Sequence, residues 1–377
     1  MKIGIITFHA SFNYGSMLQA YALHKVLSDM GHNVEIVNFR SSEHKEVYHY
    51  PIYFKSREYS KVHLLLHYLT HPISIYYQIR KWNRFNEFLN EYLVHTREFQ
   101  TVDELRNNNF QYDYIVVGSD QIWNINCRDF SEAYWGTFCG NKTRIIAYAP
   151  SMGPTPEMLN LDSFKDNAPR FHAVSVREER AYSYLKDNNV FQKISLTLDP
   201  TLLLNSSDFD QIDNRRPLVE GDYVYFYEPY TKPRFLKIAL NIGEQFGYKI
   251  VIDRVYPDRY IKDHKNVLFY TNTGPKEFLN LLRHAKLVIG HSLHAVLFSI
   301  LYKKDFYALD GDKDSRMNYI MNALGLERRF VSIENPLLLE NTHIDYWDSV
   351  YEKYELLKEN SLSFLKDALS NDSCLYE

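Results

Sequence analysis

Cysteine is scarce in this chain: Cys127, Cys139 and Cys374 are the three cysteines among 377 residues. The number is odd and no pair has metal-ligand spacing, which argues against a disulfide framework and fits a reducing compartment. Long apolar runs are missing too. No stretch reaches the roughly 18 consecutive apolar residues that a bilayer-spanning helix needs. Met1 and Lys2 lead directly into Ile3-Gly4-Ile5-Ile6-Thr7-Phe8, with no basic region followed by a cleavable apolar segment. A cytoplasmic protein is the expectation. Charge of one sign is also lacking: a formal net charge of −4 supplies no global attraction to nucleic acid. Low-complexity tracts and short internal repeats are absent. The loop after the first strand is neither a GxGxxG dinucleotide turn nor a GK[ST] phosphate loop, which counts against both cofactor classes.

What is present is ordinary globular composition, 45% hydrophobic and 24% charged, in a chain too long for one core. The first forty residues read as a strand, a helix and a second strand. Ile3 to Phe8 is apolar, Met17, Leu18, Ala20, Tyr21, Leu23, Val26 and Leu27 recur at helical spacing, and Val34 to Phe39 is apolar again. That is the unit of doubly wound parallel sheets. Residues 44–105 interrupt the rhythm with an aromatic, locally basic, helical pattern (Lys55, Arg57, Lys61, Arg80, Lys81, Arg84), read here as a helical insertion in the N-terminal half. Strands resume at Tyr114–Val117, Ile145–Tyr148 and Ala173–Val176. The polar stretch from Asn205 to Gly221 reads as a linker, and a second αβ series follows from Tyr223. The expectation is α/β with two Rossmann-like domains facing across a cleft: residues 1–205 and 206–345, closed by a C-terminal helix over 346–377.

In open parallel sheets, ligands sit beyond the carboxyl ends of strands, at helix N-termini. Four segments qualify. Asn13-Tyr14-Gly15-Ser16 is a tight turn at a helix start, suited to an anion or a hydroxyl-rich ligand, or simply an Asn cap. Gly118-Ser119-Asp120-Gln121 follows an apolar strand, and Asp120 is a base, a sugar-hydroxyl acceptor or a helix cap. Arg177, in Ser175-Val176-Arg177-Glu178-Glu179, is placed to grip a carboxylate or phosphate, or to pair with a neighbouring Glu. Gly290-His291-Ser292-Leu293-His294 crowds two histidines and a serine at a helix N-terminus, where anions are favoured and a histidine can act as general acid. No third ligand stands at matching spacing, so no metal is expected there. His63, His67 and His71 repeat every four residues, but their apolar neighbours and Pro72 indicate packing.

Taken in order, a larger set of segments is more specific. It comprises Ile3-Gly4-Ile5-Ile6-Thr7 with Asn13-Tyr14-Gly15, Leu18-Gln19-Ala20-Tyr21-Ala22-Leu23 and Val117-Gly118-Ser119-Asp120-Gln121-Ile122-Trp123-Asn124. Further on come Ser175-Val176-Arg177-Glu178, Leu198-Asp199-Pro200-Thr201-Leu202-Leu203 and Ser292-Leu293-His294 with Phe298-Ser299-Ile300. On these the chain resembles the polysaccharide pyruvyl transferase family over nearly its whole length.

The resemblance implies a fold similar to the GT-B glycosyltransferases and transfer of a pyruvyl group from phosphoenolpyruvate, a donor substrate, with no further cofactor and no metal. The acceptor is two hydroxyls of one sugar in a bacterial surface polysaccharide or its lipid-linked precursor, and the product is a cyclic ketal. Carried over residue by residue, it makes His294 the acid or phosphate donor and Asp120 a candidate base. Arg177, Ser292, His291 and Arg316 fall on the donor side, in the C-terminal half except for Arg177, and Asn13, Tyr14, Gly15, Gln19 and Ser119 on the acceptor side. One departure stands out: many members carry Arg-Leu-His-Gly where this chain has Ser292-Leu293-His294-Ala295, which removes one anion clamp. The alternatives are a GT-B-like glycosyltransferase using a nucleotide sugar and a non-catalytic sugar-binding relative. The insertion, with Tyr53, Phe54, Tyr76, Tyr77, Trp82 and Phe85 among its basic residues, admits a peripheral contact with an anionic membrane, or else a solvated helical face or a dimer contact.

Overall fold

The computed structural model describes residues 1–53, 60–213, 215–229, 232–254, 260–261, 264–332, 334 and 343–370, with the side chain of His63 left aside. Phe54, Lys55, Arg57 and Cys374 lie outside them. The chain divides into two compact units: Met1–Tyr48 with Leu89–Leu204 and Glu352–Glu377, and His49–Phe88 with Asn205–Tyr351.

The first unit holds a parallel sheet of β1 (Lys2–Ile6), β2 (Asn33–Ile36), β3 (Tyr114–Val117), β4 (Arg144–Ala147), β5 (Phe171–Val176) and β6 (Ser195–Leu196), in the order β2-β1-β3-β4-β5-β6. The interior strands are near-continuous runs of branched residues such as Tyr114-Ile115-Val116-Val117, buried along their length, as a sheet covered on both faces requires. Trp123 anchors one core, stacked 5.9 Å from Phe191 and edge-on to Phe164 at 5.8 Å. The C-terminal helix Trp347–Leu369 completes the unit: Leu198 N donates to Ser361 Oγ at 2.9 Å, and Tyr354 Oη donates to Leu202 O at 2.7 Å.

The second unit holds β7 (Tyr223–Tyr227), β8 (Lys249–Ile252), β9 (Val267–Phe269), β10 (Leu287–Gly290), β11 (Phe306–Leu309) and β12 (Phe330–Val331), again parallel, in the order β12-β11-β10-β7-β8-β9. The fold is α/β in both units. In each sheet one pair of neighbours marks where the winding reverses: β1 and β3 in the first unit, β7 and β10 in the second. Loops leaving those strands diverge and open the crevice where ligands of such sheets bind.

Three details depart from the sequence reading. The stretch from Asn205 is not a bare linker: Ser206–Asp210 is a helix, Phe209 is fully buried and meets Phe298 edge-on at 4.9 Å, and Asn280 Nδ2 donates to the carbonyl of Arg216 at 3.2 Å. A polar-looking segment is thus held to the second unit by an aromatic anchor, the Asn280 amide and ion pairs such as Arg283–Asp210 and Arg215–Glu277. The helices Lys61–Thr70 and Pro72–Tyr92 do form, but residues 49–88 group with the second unit although they arise within the first half of the chain. The edge strands β6 and β12, two residues each, are too short for any periodicity to announce them.

Candidate active site

At the reversal point of the first unit, Asn13 caps the helix Tyr14–Asp29, its Oδ1 accepting from Gly15 N at 3.0 Å. Ser16, on the first turn, donates from Oγ to Asp120 Oδ2 at 2.5 Å. Asp120 leaves β3 in the left-handed region at φ 68, a conformation rare for a non-glycine residue and one that clusters at functional loops. Its other oxygen, Oδ1, accepts from Gln121 N at 2.8 Å and from Arg177 Nη2 at 3.3 Å. Arg177 Nη1 donates in turn to Asp199 Oδ2 at 2.5 Å, and Asp199 Oδ1 accepts from Thr201 Oγ1 at 2.8 Å.

Arg177 is engaged within the protein. Its guanidinium is buried among the carboxylates of Asp120, Asp199 and Glu178, the last at 3.9 Å. It bonds to Asp120 directly. Gln19 and Ser119 are likewise engaged. Both are fully buried, and Gln19 Nε2 donates to Thr7 Oγ1 at 3.0 Å and to Ser16 O at 2.8 Å. Its Oε1 accepts from Ser119 N at 3.1 Å, while Ser119 Oγ donates to Ala149 O at 2.7 Å. These two side chains tie the β1 and β3 loops together. Tyr14 and Gly15 are buried as well, whereas Asn13 is exposed at the loop surface.

Sequence reasoning missed several residues in this unit. His9 is buried, with Nδ1 3.1 Å from Thr7 O and Nε2 2.9 Å from Asn38 Oδ1, and burial lowers its pKa to about 3. Tyr48 and Tyr134 are pushed upward, by burial first and then by the carboxylates of Asp129 and Asp120. The surroundings of Asp120 are therefore rich in acids and hydroxyls, a chemistry that suits sugar hydroxyls better than anions. No sequence signal marks these residues, because the partners are tens of positions apart.

In the second unit the reversal point joins Tyr227, at the end of β7, to Gly290, at the end of β10. A Cβ on Gly290 would stand 2.5 Å from the carbonyl oxygen of Tyr227, which is why glycine occupies the position. His291 follows, its backbone N donating to that same carbonyl at 3.2 Å. The imidazole is fixed on two sides, stacked 4.6 Å from Phe235, with Nδ1 2.6 Å from Leu309 O. A carbonyl only accepts, so Nδ1 carries the proton in this contact. Ser292 is the N-cap of the helix Leu293–Leu301, with extended backbone angles and no side-chain capping bond, and His294 lies in the first turn, buried. The helix dipole at that turn favours an anion.

Arg316, at the start of the helix Ser315–Leu324, is joined to Asp314 through Nε at 2.9 Å and Nη2 at 2.5 Å. Burial alone would raise the Asp314 carboxyl, but the charge of Arg316, its hydrogen bonds and the nearby His291 hold it below its ordinary value. The expected third anion clamp is thus occupied by a bidentate carboxylate. His291, Asp314 and Arg316 are brought together in this unit, and Asp120 and Arg177 in the other. Among the described residues no three His, Cys, Asp or Glu side chains form a metal cluster. His67 and His71 stack at 4.6 Å, and the helix carrying His67 ends at Thr70.

The comparisons fit this architecture. A protein from Listeria monocytogenes assigned as a UDP-N-acetylglucosamine 2-epimerase aligns at 11% identity over 98% of this chain and 90% of its own, with a TM-score of 0.50. The UDP-GlcNAc 2-epimerase of Methanocaldococcus jannaschii aligns at 14% identity over 95% and 93%, with a TM-score of 0.49. The E. coli heptosyltransferase WaaC aligns at 11% identity over 82% and 88%, with a TM-score of 0.41. At such identities the likeness is one of fold, the GT-B type, and the Listeria protein carries it. No curated protein matches the sequence. The sequence model of the polysaccharide pyruvyl transferases matches residues 13–313, which include every sheet residue of both units except β1 and the last short strand. By that match, the chain belongs to the polysaccharide pyruvyl transferase family.

Proposed function

We propose that this transferase moves the pyruvyl group of phosphoenolpyruvate onto two hydroxyls of one sugar in a bacterial surface polysaccharide or its lipid-linked precursor, in the cytoplasm. The observation that carries the reading is the helix N-terminus at Ser292–His294, which stands at the reversal point of the second unit beside the fixed imidazole of His291. A phosphate group finds there a helix N-terminus and nearby histidines without a cofactor loop.

In the proposed chemistry a proton is delivered to the methylene carbon of the donor, and the first sugar oxygen bonds to the adjacent carbon while its proton passes to a base. The second hydroxyl then bonds to the same carbon, the carbon–oxygen bond to phosphate breaks, and inorganic phosphate leaves. One phosphoenolpyruvate and one diol give one ketal and one phosphate. His294, with Ser292 and His291 beside it, is assigned to the donor, His294 as acid. Asp120, held by Ser16 and Arg177, is assigned as base for the acceptor hydroxyl. Asn13 is the acceptor contact that remains at the surface. Ser292, where many relatives have arginine, leaves the donor's charge to the backbone N–H groups and histidines.

Phosphate release from phosphoenolpyruvate in the presence of candidate saccharides, with mass spectrometry of the product, tests this. Release that requires a saccharide, together with a ketal on it, supports the reading. Turnover of a nucleotide sugar with none of phosphoenolpyruvate replaces it with glycosyl transfer.

A further inference from the structure

The helices Lys61–Thr70 and Pro72–Tyr92 carry an outer face that the described chain leaves uncovered. On the first helix Leu64 is turned inward, whereas Val62 (68%), Leu65 (50%), Leu66 (57%) and Leu69 (68%) are exposed. Their spacing of i, i+3, i+4 and i+7 is the stripe an amphipathic helix normally turns to its core. Here the stripe faces outward. Ile73 (71% exposed) and Tyr76 (55%) extend it onto the second helix, and Arg80, exposed two turns after Ile73, follows on the same side. A contiguous apolar surface of this kind marks an interaction site.

Charge identifies the occupant. From Ser60 to Asn86 the sequence contains no Asp or Glu, while Lys61, Arg80, Lys81 and Arg84 are all basic. Lys61 and Arg80 are the exposed cations that border the apolar stripe. A second copy of this chain meeting the face symmetrically would present the same acid-free segment, so residues 60–86 would offer Lys61 and Arg80 no carboxylate. An anionic lipid surface meets both requirements, accepting the aliphatic side chains at the headgroup boundary and pairing the cations with phosphate. The first helix, ten residues long, rises about 15 Å, half the hydrocarbon thickness, so it is suited to lying in the interface and not to crossing. Among the described residues no helix is long and apolar enough to cross a membrane.

Of the aromatic residues named from sequence, Phe85 is fully buried and Trp82 packs edge-on to Tyr50 at 5.1 Å, whereas Tyr76 and Tyr77 are exposed. The leucines read from sequence as packing are the exposed stripe, except Leu64.

We propose that this helical pair seats the protein on an anionic bilayer, with Leu65, Leu66, Leu69 and Ile73 entering the headgroup boundary and Lys61 and Arg80 resting on lipid phosphates. The proposal rests on this surface alone and not on the pyruvyl-transfer reading. It is tested with the full chain by co-sedimentation with vesicles of phosphatidylcholine alone or mixed with phosphatidylglycerol, in the absence of any donor or acceptor.

Pelleting is expected with the anionic vesicles, diminishing as salt is raised. The Lys61→Ala/Arg80→Ala variant is expected to bind about thirtyfold more weakly, at about 1 kcal/mol per cation. Leu65→Glu/Leu69→Glu is expected to abolish pelleting with its circular dichroism unchanged, and Leu65→Ser/Leu69→Ser gives the same readout should the glutamates disturb the fold. No pelleting at low salt, or equal pelleting on neutral and anionic vesicles, overturns the proposal. So does a dimer in sedimentation velocity that Leu65→Glu/Leu69→Glu dissociates while the wild type ignores vesicles.

Discussion

Arg177 Nη1 and Asp199 Oδ2 lie 2.5 Å apart, buried, in a cluster where the carboxylates of Asp120 and Glu178 also approach the same guanidinium. Removing the arginine leaves uncompensated acids in a dry environment, and breaking a buried pair in that way costs about 3–5 kcal/mol. Arg177→Met is therefore expected to lower the thermal midpoint markedly, and the double variant Arg177→Met/Asp199→Asn to recover part of the loss. Differential scanning calorimetry of the two proteins decides. A stable Arg177→Met protein that has lost only its affinity for phosphoenolpyruvate would support the anion-clamp role.

The close approach of Gly290 to Tyr227 gives a second expectation. An added Cβ would meet the Tyr227 carbonyl oxygen at 2.5 Å, and backbone cannot withdraw as a side chain does. Gly290→Ala should destabilise by about 1–3 kcal/mol, the usual range for overpacking. Gly140→Ala, where nothing lies within 4 Å, serves as the control. Equal melting of the two variants would mean that the strand junction yields more readily than its packing indicates.

His9 makes stability depend on pH. Its folded-state pKa, lowered by burial from 6.5 to about 3, keeps the ring neutral in the native protein while the unfolded chain takes up a proton below 6.5. The stabilising difference is present in full above 6.5 and is lost as the pH falls from 6.5 towards 3, with a limiting slope of about 1.4 kcal/mol per pH unit. His9→Gln should flatten this part of the profile. Parallel thermal-midpoint curves for wild type and variant between pH 6.5 and 4 would exclude His9 as the source.

For catalysis, His294→Gln should lower kcat for phosphate release by about 10²–10⁴-fold if it is the acid, with little change in the melting temperature. Asp120→Asn should lower kcat similarly but also lower the melting temperature, since its carboxylate pairs with the buried Arg177, whereas Asn13→Ala, at an exposed loop, should raise KM for the saccharide and spare kcat. A His294→Gln enzyme of full activity would shift the acid role to His291, whose tautomer is already set by Leu309.

Cys139 offers a simple check on the core of the first unit. Burial pushes its thiol up to about 12, so it should resist alkylation at pH 8 in the native protein and react on unfolding. Peptide mapping after a short iodoacetamide pulse reads this directly.

The fold was legible where a periodic apolar run was long enough to state its own conformation. Tyr114–Val117 is a strand at the residues the pattern predicts, and the second αβ series opens with a strand at Tyr223 as expected. β6 and β12 were not legible, since two residues have no period. The contacts of the candidate site residues were much less legible. Strand-end logic picks out Arg177, but its charge partners are set by tertiary structure: Asp120 is 57 positions from Arg177, and Asp199 is 22. Gln19 looked available because it follows a loop; only the packed fold shows its amide spanning β1 and β3. The apolar stripe at Val62–Leu69 was hidden for the opposite reason, because an exposed leucine face has the same sequence pattern as a buried one.

The bonds from Leu198 to Ser361 and from Tyr354 to Leu202 have a bearing on how the chain is made. A ribosome delivers all six strands of the first unit more than 150 residues before the helix that receives them. Until that helix emerges, Leu198–Leu204 lacks the partners Ser361 and Tyr354 and the apolar side the helix covers, while the second unit is still being synthesised. The order of synthesis therefore works against domain-by-domain maturation, and the nascent protein depends on whatever shields its open flank. A gene cut after residue 204 would produce a first half that never receives its closing helix.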